Sequence, residues 1–86
     1  MKQNTANESR IVFCLMYTVQ QETCFICGIL DPYETAPRAR AALRTYTEQL
    51  ISNDYALIAR DNNNVKLYRK CDNQEFNIYI EERIMQ

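Results

Sequence analysis

The sequence predicts an α+β fold, an antiparallel sheet of about five strands in the order β-β-α-β-β-β with one helix packed on one face. The chain has 86 residues, which suits a single domain built from one sheet and one covering helix. One segment shows helical periodicity, and five others show strand patterns bounded by short polar turns. Such short connections favour antiparallel pairing, so only the step across the helix is open to a parallel arrangement.

Two strands are predicted before the helix. Residues 10–20 are apolar at both alternating sets of positions, which is typical of a strand that is central or covered on both faces. Residues 20–22 turn the chain, and residues 23–30 return as a strand rich in β-branched and aromatic types. Residues 1–9 are polar and are predicted to form a flexible tail, which leaves 10–86 as one α+β domain.

The stretch DPYETAPRAR contains two possible helix starts. In a helix that began after Asp31, Pro37 would lack an interior N–H and clash with the carbonyl of Tyr33, at a cost of about 3 kcal/mol or more. In a helix that begins at Thr35, the same proline lies in the first turn, where it costs little. We therefore predict a capped turn over residues 31–34 and a helix that starts at Thr35.

The predicted helix carries one apolar stripe and ends near residues 52–54. Spacings of three, four and seven along the stripe are typical of an amphipathic helix that lies on a sheet. The stripe consists of Ala39, Ala42, Leu43, Tyr46 and Leu50.

Three strands are predicted after the helix. Residues 55–61 and 65–71 are joined by three asparagines, which suit a tight hairpin. Residues 75–85 then alternate clearly between apolar and polar types. The residues predicted to face the helix are Phe76, Ile78, Ile80 and Ile84.

Charge and composition argue against several function classes. The net charge is −1, which disfavours a general attraction to nucleic acids or membranes. The chain has no histidine and one glycine, so it offers neither a Ser-His or Cys-His pair nor a glycine-rich phosphate loop. No apolar run is long enough to span a bilayer, and the polar start does not resemble a signal peptide. These features predict a cytoplasmic protein that is not an enzyme.

The four cysteines are the candidate metal ligands. Cys24 and Cys27 form a Cys-x-x-Cys-Gly motif similar to half of a zinc knuckle, and Cys14 and Cys71 would complete a tetrahedral site. However, residues three apart on a strand face opposite ways, and free cysteines are commonly buried. We therefore expect core thiols with no metal and no cofactor, and keep a small zinc protein as an alternative. A thioredoxin-like role is disfavoured because the motif does not open a helix.

A local basic patch is the second candidate site. Seven basic residues and three acids lie between positions 38 and 70. With nearby tyrosines they would bind a phosphate or an acidic partner, and the alternative is a solvated face whose arginines pair with acids. Lys66, Tyr68 and Lys70 are expected on one face of their strand. The candidate partner-binding residues are Arg40, Arg44, Lys66, Tyr68, Lys70 and Tyr79.

A five-stranded sheet with one helix has one uncovered face. Part of it, near Val12, Cys14 and Met16, is too apolar to remain hydrated. Exposed apolar patches and open sheet edges usually mark partner surfaces, so homodimerisation is the leading physical inference. The tyrosines predicted on this face are Tyr17, Tyr55, Tyr68 and Tyr79.

The passage GILDPYETAPRARAAL joins a strand end of glycine and two aliphatic residues to a helix whose alanines are three apart. This layout resembles small proteins of unknown function from phages and large DNA viruses, which have a "G-V-F-x-S"-type strand end and Glu-x-x-Ala-x-x-Ala spacing in the helix. The chain departs from that pattern at residues 30–32 and at the additional Pro37. The resemblance implies a fold and a viral or mobile-element setting, and no activity. The matching residues are Gly28, Ile29, Leu30, Ala39, Ala42 and those of the 78–84 strand.

Three functional hypotheses follow. The first is a protein-binding module, a small viral or phage accessory protein that acts through its exposed sheet face or edge and self-associates. The second is a nucleic-acid or phosphate-ligand binder that uses the basic patch, and the third is a small zinc-binding protein.

Overall fold

A computed structural model describes residues 10–85 and confirms the predicted α+β order. The predicted tail, residues 1–9, lies outside the described residues. A short 3₁₀ helix, Lys70–Asp72, connects the last two strands. The main elements are β1 (Arg10–Gln21), β2 (Cys24–Tyr33), α1 (Ala36–Ile51), β3 (Ala56–Arg60), β4 (Asn64–Arg69) and β5 (Gln74–Met85).

The strands form one sheet in the order β2-β1-β5-β4-β3, and every neighbouring pair is antiparallel. The central strands β1 and β5 have 12 residues each and pair from Arg10 opposite Met85 to Gln20 opposite Glu75. Strands β2 and β3 lie at opposite edges, so the helical connection between them creates no parallel pair. Both edge strands therefore keep one row of backbone N–H and C=O groups that no other strand within residues 10–85 binds.

The core lies between α1 and one face of the sheet. Leu15 of β1, Leu67 of β4 and Ile78 of β5 have no exposed surface, and they form one cluster with Leu43 of the helix. Burying a side chain of this size contributes about 1.5–3 kcal/mol, so this cluster is the main source of stability. On the opposite face a second, smaller cluster contains Val12, Cys14 and Met16, with Tyr79 packed against it.

The helix starts where its local chemistry predicts. Thr35 is the N-cap, its Oγ1 accepts a hydrogen bond from the backbone N–H of Arg38 at 3.3 Å, and Pro37 lies in the first turn. The capped turn predicted over residues 31–34 is wrong, because β2 continues to Tyr33. An edge strand tolerates Pro32, since a proline there removes no interior ladder hydrogen bond.

We expect Thr35→Ala to lower the free energy of unfolding by about 1 kcal/mol, because the N–H of Arg38 loses its acceptor. Thr45→Ala is the matched control, since Thr45 is exposed in mid-helix and its hydroxyl donates to the carbonyl of Ala41 at 3.1 Å. That change should be neutral or stabilising, because alanine has the higher helix propensity. Urea unfolding of both variants measures the difference, and equal losses would contradict the cap.

The structure changes the faces assigned to several residues. Ile84 is not covered by the helix. Both Ile84 and Ile11, which lies opposite it in β1, are exposed. Tyr55 is buried in the main core, and Tyr17 stacks on the core residue Phe76, so both lie on the helix side of the sheet. The prediction for these two tyrosines is therefore wrong.

The single glycine fits beneath one of these rings. Gly28 of β2 lies directly opposite Tyr17, and a Cβ on it would come within 2.9 Å of the Tyr17 ring. The ring in turn stacks on Phe76 with 6.0 Å between centroids, so it has little freedom to move away. This close approach explains why a glycine occupies the middle of an edge strand.

Left-handed backbone occurs where the chain must reverse without a glycine. Within residues 10–85 the positive φ angles are 72° at Asp54, after α1, and 52° at Asn73, after the 3₁₀ helix. The predicted asparagine hairpin between β3 and β4 is present, but its asparagines do not adopt positive φ angles. Its Asn63 N–H donates to the carboxylate of Asp61 at 2.8 Å, and the N–H of Asp61 donates to the carbonyl of Asn64 at 2.9 Å.

Candidate functional site

The edge of β2 is the least protected edge of the sheet. Phe25, Ile26 and Ile29 are exposed there, and residues 24–30 carry no charged side chain. The opposite edge, β3, is shorter by half, contains a register irregularity and ends in an arginine. Short length, irregularity and charge are devices that protect an edge from pairing. In β2 the register shift falls at Leu30, next to Asp31, so residues 24–29 lack these devices.

The backbone of β2 offers a regular set of free hydrogen-bonding groups. Gln21 and Cys24 flank a two-residue loop, so they form a hydrogen-bonded pair, and such pairs alternate along an antiparallel ladder. The N–H and C=O groups of Phe25, Cys27 and Ile29 therefore point away from β1 to the open edge. These are the groups that an added strand would bind.

The side chains at these three positions share the face of the sheet that α1 does not cover. Ile29 lies opposite Met16, a member of the smaller apolar cluster, and Cys27 lies opposite Thr18. The apolar surface therefore runs from the centre of the uncovered face to the free edge. We call this surface the β2 edge and define it by Phe25, Cys27 and Ile29, with the exposed Ile26 beside them on the other face of the same strand.

The six residues predicted to bind a partner are divided between two faces. Lys66 and Tyr68 alternate with the buried Val65 and Leu67 of β4, so they lie on the uncovered face with Tyr79. Lys66 Nζ is 4.0 Å from a carboxylate oxygen of Glu75. Lys70 is in the 3₁₀ helix, so the expectation that it shares a strand face with Lys66 and Tyr68 is wrong.

The other two predicted residues lie in the helix layer. Arg40 and Arg44 of α1 line a groove of about 640 Å³ together with Arg60, the last residue of β3. Glu48 and Asp61 also line this groove. Among the described residues, none of the three arginines has a carboxylate within 4.0 Å. We call this site the arginine groove. Sequence reasoning missed Arg60 as a site residue, because only the strand order brings it to the helix.

Arg69, at the end of β4, has a structural role. Its guanidinium lies 4.5 Å from the centre of the Tyr55 ring and donates to both carboxylate oxygens of Asp72, at 3.1 and 2.8 Å. The hydrogen bonds from Arg69 lower the pKa of Asp72, whereas burial raises the pKa of the Tyr55 hydroxyl. Tyr55 donates in turn to the side-chain carbonyl of Gln74. This cluster holds the connection between β4 and β5 on the core.

The cysteines do not assemble a ligand set. Cys14 is buried on the uncovered face, but the other three are exposed, so the prediction of core thiols is wrong for Cys24, Cys27 and Cys71. Cys24 and Cys27 lie on opposite faces of β2, as the strand period requires, and Cys71 is in the 3₁₀ helix. Within residues 10–85, no three histidine, cysteine, aspartate or glutamate side chains are grouped closely enough to hold a metal ion.

Comparison of the chain with family models, with curated proteins and with solved structures gives no match. Across the described part of the chain, no helix combines the length and the apolar character needed to cross a membrane. The structural class of the protein is therefore assigned from its fold only. It is a single-sheet α+β domain with an open apolar edge and a separate arginine groove.

Proposed function

We propose that this protein is a non-enzymatic protein-binding module that self-associates by pairing β2 with the β2 strand of a second copy. The observation that carries the proposal is the exposed, uncharged β2 edge with its outward backbone groups. Addition of a strand to such an edge is a common mode of protein recognition. The absence of histidine from the sequence supports the non-enzymatic part of the proposal.

The β2 strand is complementary to itself in one antiparallel register. A two-fold axis that passes midway between the two copies of Cys27 places these residues opposite each other and Phe25 opposite Ile29 of the second copy. All three positions have outward N–H and C=O groups, so both strands can exchange their hydrogen bonds. Because residues 24–30 are uncharged, no like charges face each other. Each apolar cross-strand pair contributes about 0.2–1 kcal/mol in such an arrangement.

The pairing extends one sheet into the next. The two smaller apolar clusters then lie on the same face of a continuous sheet, separated by the Phe25 and Ile29 side chains of both copies. A two-fold interface of this kind is closed, so it gives a dimer and leaves β3 as the outer edge on each side. We place this module in a phage or large-DNA-virus setting, where the partner is a second copy or a host protein that adds a strand to the same edge. The resemblance of the strand end and helix supports that setting.

We expect the wild-type protein to be a dimer and Ile29→Lys to be a monomer, because the substitution places two lysines beside the shared strand pair. Ile58→Lys is the matched control, since Ile58 lies on the other edge strand and is 55% exposed against 52% for Ile29. That variant should remain dimeric. Light scattering after size-exclusion chromatography measures the mass, and thermal unfolding checks that both variants are folded.

Two outcomes would contradict the proposal. One is a wild-type protein that stays monomeric as its concentration is raised. The other is dissociation by Ile58→Lys with no effect of Ile29→Lys, which would assign the interface to β3.

A further inference from the structure

We propose a second binding site, separate from the β2 edge, in which the arginine groove binds a small phosphorylated ligand. The groove is formed by α1 and the turn between β3 and β4, and three guanidinium groups line it, those of Arg40, Arg44 and Arg60. The ligand class follows from the number of cations, from the lack of carboxylate partners for them within residues 10–85, and from the size of the groove.

The arginines come from two elements and meet at one place. Arg40 and Arg44 are one helical turn apart on α1, so their Cβ atoms are about 5–6 Å apart. Arg60 reaches the same groove from β3, because Arg60 is opposite Val65, whose buried side chain faces α1. Three like charges in one groove repel one another, and a bound anion removes that repulsion.

The nearby acids do not neutralise these arginines. Asp61 uses a carboxylate oxygen to accept the N–H of Asn63, which stabilises the hairpin loop. Glu48 lines the groove, yet no described arginine nitrogen lies within 4.0 Å of its carboxylate. Three cations and two acids leave a formal charge of +1 (3 − 2) on the groove of a protein whose net charge is −1. The groove therefore stands out as a local positive site.

A phosphate group matches this arrangement. Guanidinium groups donate paired hydrogen bonds to tetrahedral oxyanions, and arginine is preferred wherever phosphate is bound in this way. A volume of about 640 Å³ also lies within the range of small-molecule sites. Leu43 and Val65 form an apolar floor on which the uncharged part of a ligand would rest.

A neighbouring groove adds one more cation. It shares Arg60 and Asp61 with the arginine groove, continues to Lys66 and Asn77, and has a volume of about 340 Å³. Lys66 also lies 4.0 Å from a carboxylate oxygen of Glu75, so the positive charge that is free to bind an anion is concentrated at the three arginines. Glu48 and Asp61 interrupt it, so an extended nucleic-acid backbone would meet acids on the same path.

The test uses pyrophosphate and ATP as probes in low salt, with isothermal titration calorimetry on the full chain. We expect saturable binding to the wild-type protein and a loss of about tenfold in affinity for both Arg44→Gln and Arg60→Gln, since each removes a charge-assisted hydrogen bond. Arg38→Gln is the matched control. It removes the same charge from the same helix, and Arg38 does not line the groove. Its affinity should equal that of the wild type.

The Ile29→Lys variant should bind both probes as the wild type does, which separates this site from the β2 edge. Absence of saturable binding, or an equal loss for Arg38→Gln, would overturn the proposal. Tighter binding of a single-stranded oligonucleotide, with a steep salt dependence, would also overturn it and assign the groove to nucleic acid. Loss of binding in Ile29→Lys would overturn the independence of the two sites. Arg44 and Arg60 are exposed, so their variants should fold, and thermal unfolding verifies this.

Discussion

Leu15→Ala is expected to lower the free energy of unfolding by about 2–5 kcal/mol, because it removes buried methyl groups and leaves a cavity. Leu15 lies in the central strand β1, has 0% of its surface exposed and belongs to the same cluster as Leu43 and Ile78. A domain of this length has a total stability of only about 4–13 kcal/mol, at about 0.05–0.15 kcal/mol per residue. The substitution therefore removes a large share of it.

Ile11→Ala is the control for this prediction. Ile11 is on the same strand and, four residues away, on the same face, yet it is 52% exposed because α1 does not reach it. We expect it to lose less than about 1 kcal/mol. Denaturant unfolding with linear extrapolation measures both values. Similar losses for the two variants would show that the helix does not bury the centre of β1.

Tyr55→Ala is expected to cost about 3–5 kcal/mol, as for other large core aromatics. Tyr55 is 6% exposed, and its ring meets Phe76 edge-on with 5.7 Å between centroids and an interplanar angle of 84°. The guanidinium of Arg69 covers the ring at 4.5 Å. Removing the ring therefore takes away an aromatic contact and a cation–π contact together with its buried area.

Two further tyrosine variants separate the contribution of the buried Tyr55 ring from that of its hydroxyl and from the effect of removing a tyrosine elsewhere in the sheet. Tyr55→Phe keeps the ring and loses only the hydrogen bond to Gln74, so it should cost about 1 kcal/mol. Tyr68→Ala changes a tyrosine on the uncovered face of β4 and should cost clearly less than Tyr55→Ala, because Tyr68 is only half-buried. Thermal and urea unfolding compare the three. If Tyr68→Ala were the more damaging change, the core would lie on the other face of the sheet.

The order of elements and the helix start were predictable because they depend on local chemistry. Thr35 and Pro37 distinguish the two possible starts without any tertiary information, and the alternation in 75–85 marks the last strand. The α+β class follows from the number and type of these segments. Strand alternation is also local, and it predicts correctly that Val12, Cys14 and Met16 lie together on the uncovered face.

Two of the misassigned residues, Tyr55 and Lys70, lie where a regular strand period is interrupted. Tyr55 follows the left-handed residue Asp54, and β3 contains a register irregularity after Leu57. Counting alternate residues from the end of β3 back across this irregularity therefore assigns Tyr55 to the wrong face of the sheet. Ile84 has the right period for the core but extends beyond the reach of α1. The arginine groove depends on strand order, which sequence alone does not provide, and this is why Arg60 was not grouped with the helix arginines.

The pairing of β1 with β5 has a consequence for how the protein is made. Among the described strands, β1 precedes the others in the sequence and its partner β5 follows them, so the inner side of the β1–β2 hairpin stays unpaired until β5 has been synthesised. The chain between β1 and β5 forms a long loop that closes late. Its closure is slow because it costs conformational entropy before the strand contacts form. Until then both edges of the β1–β2 hairpin have unpaired backbone N–H and C=O groups. Chaperone binding to the incomplete chain, or its aggregation through these edges, is therefore the main hazard during synthesis.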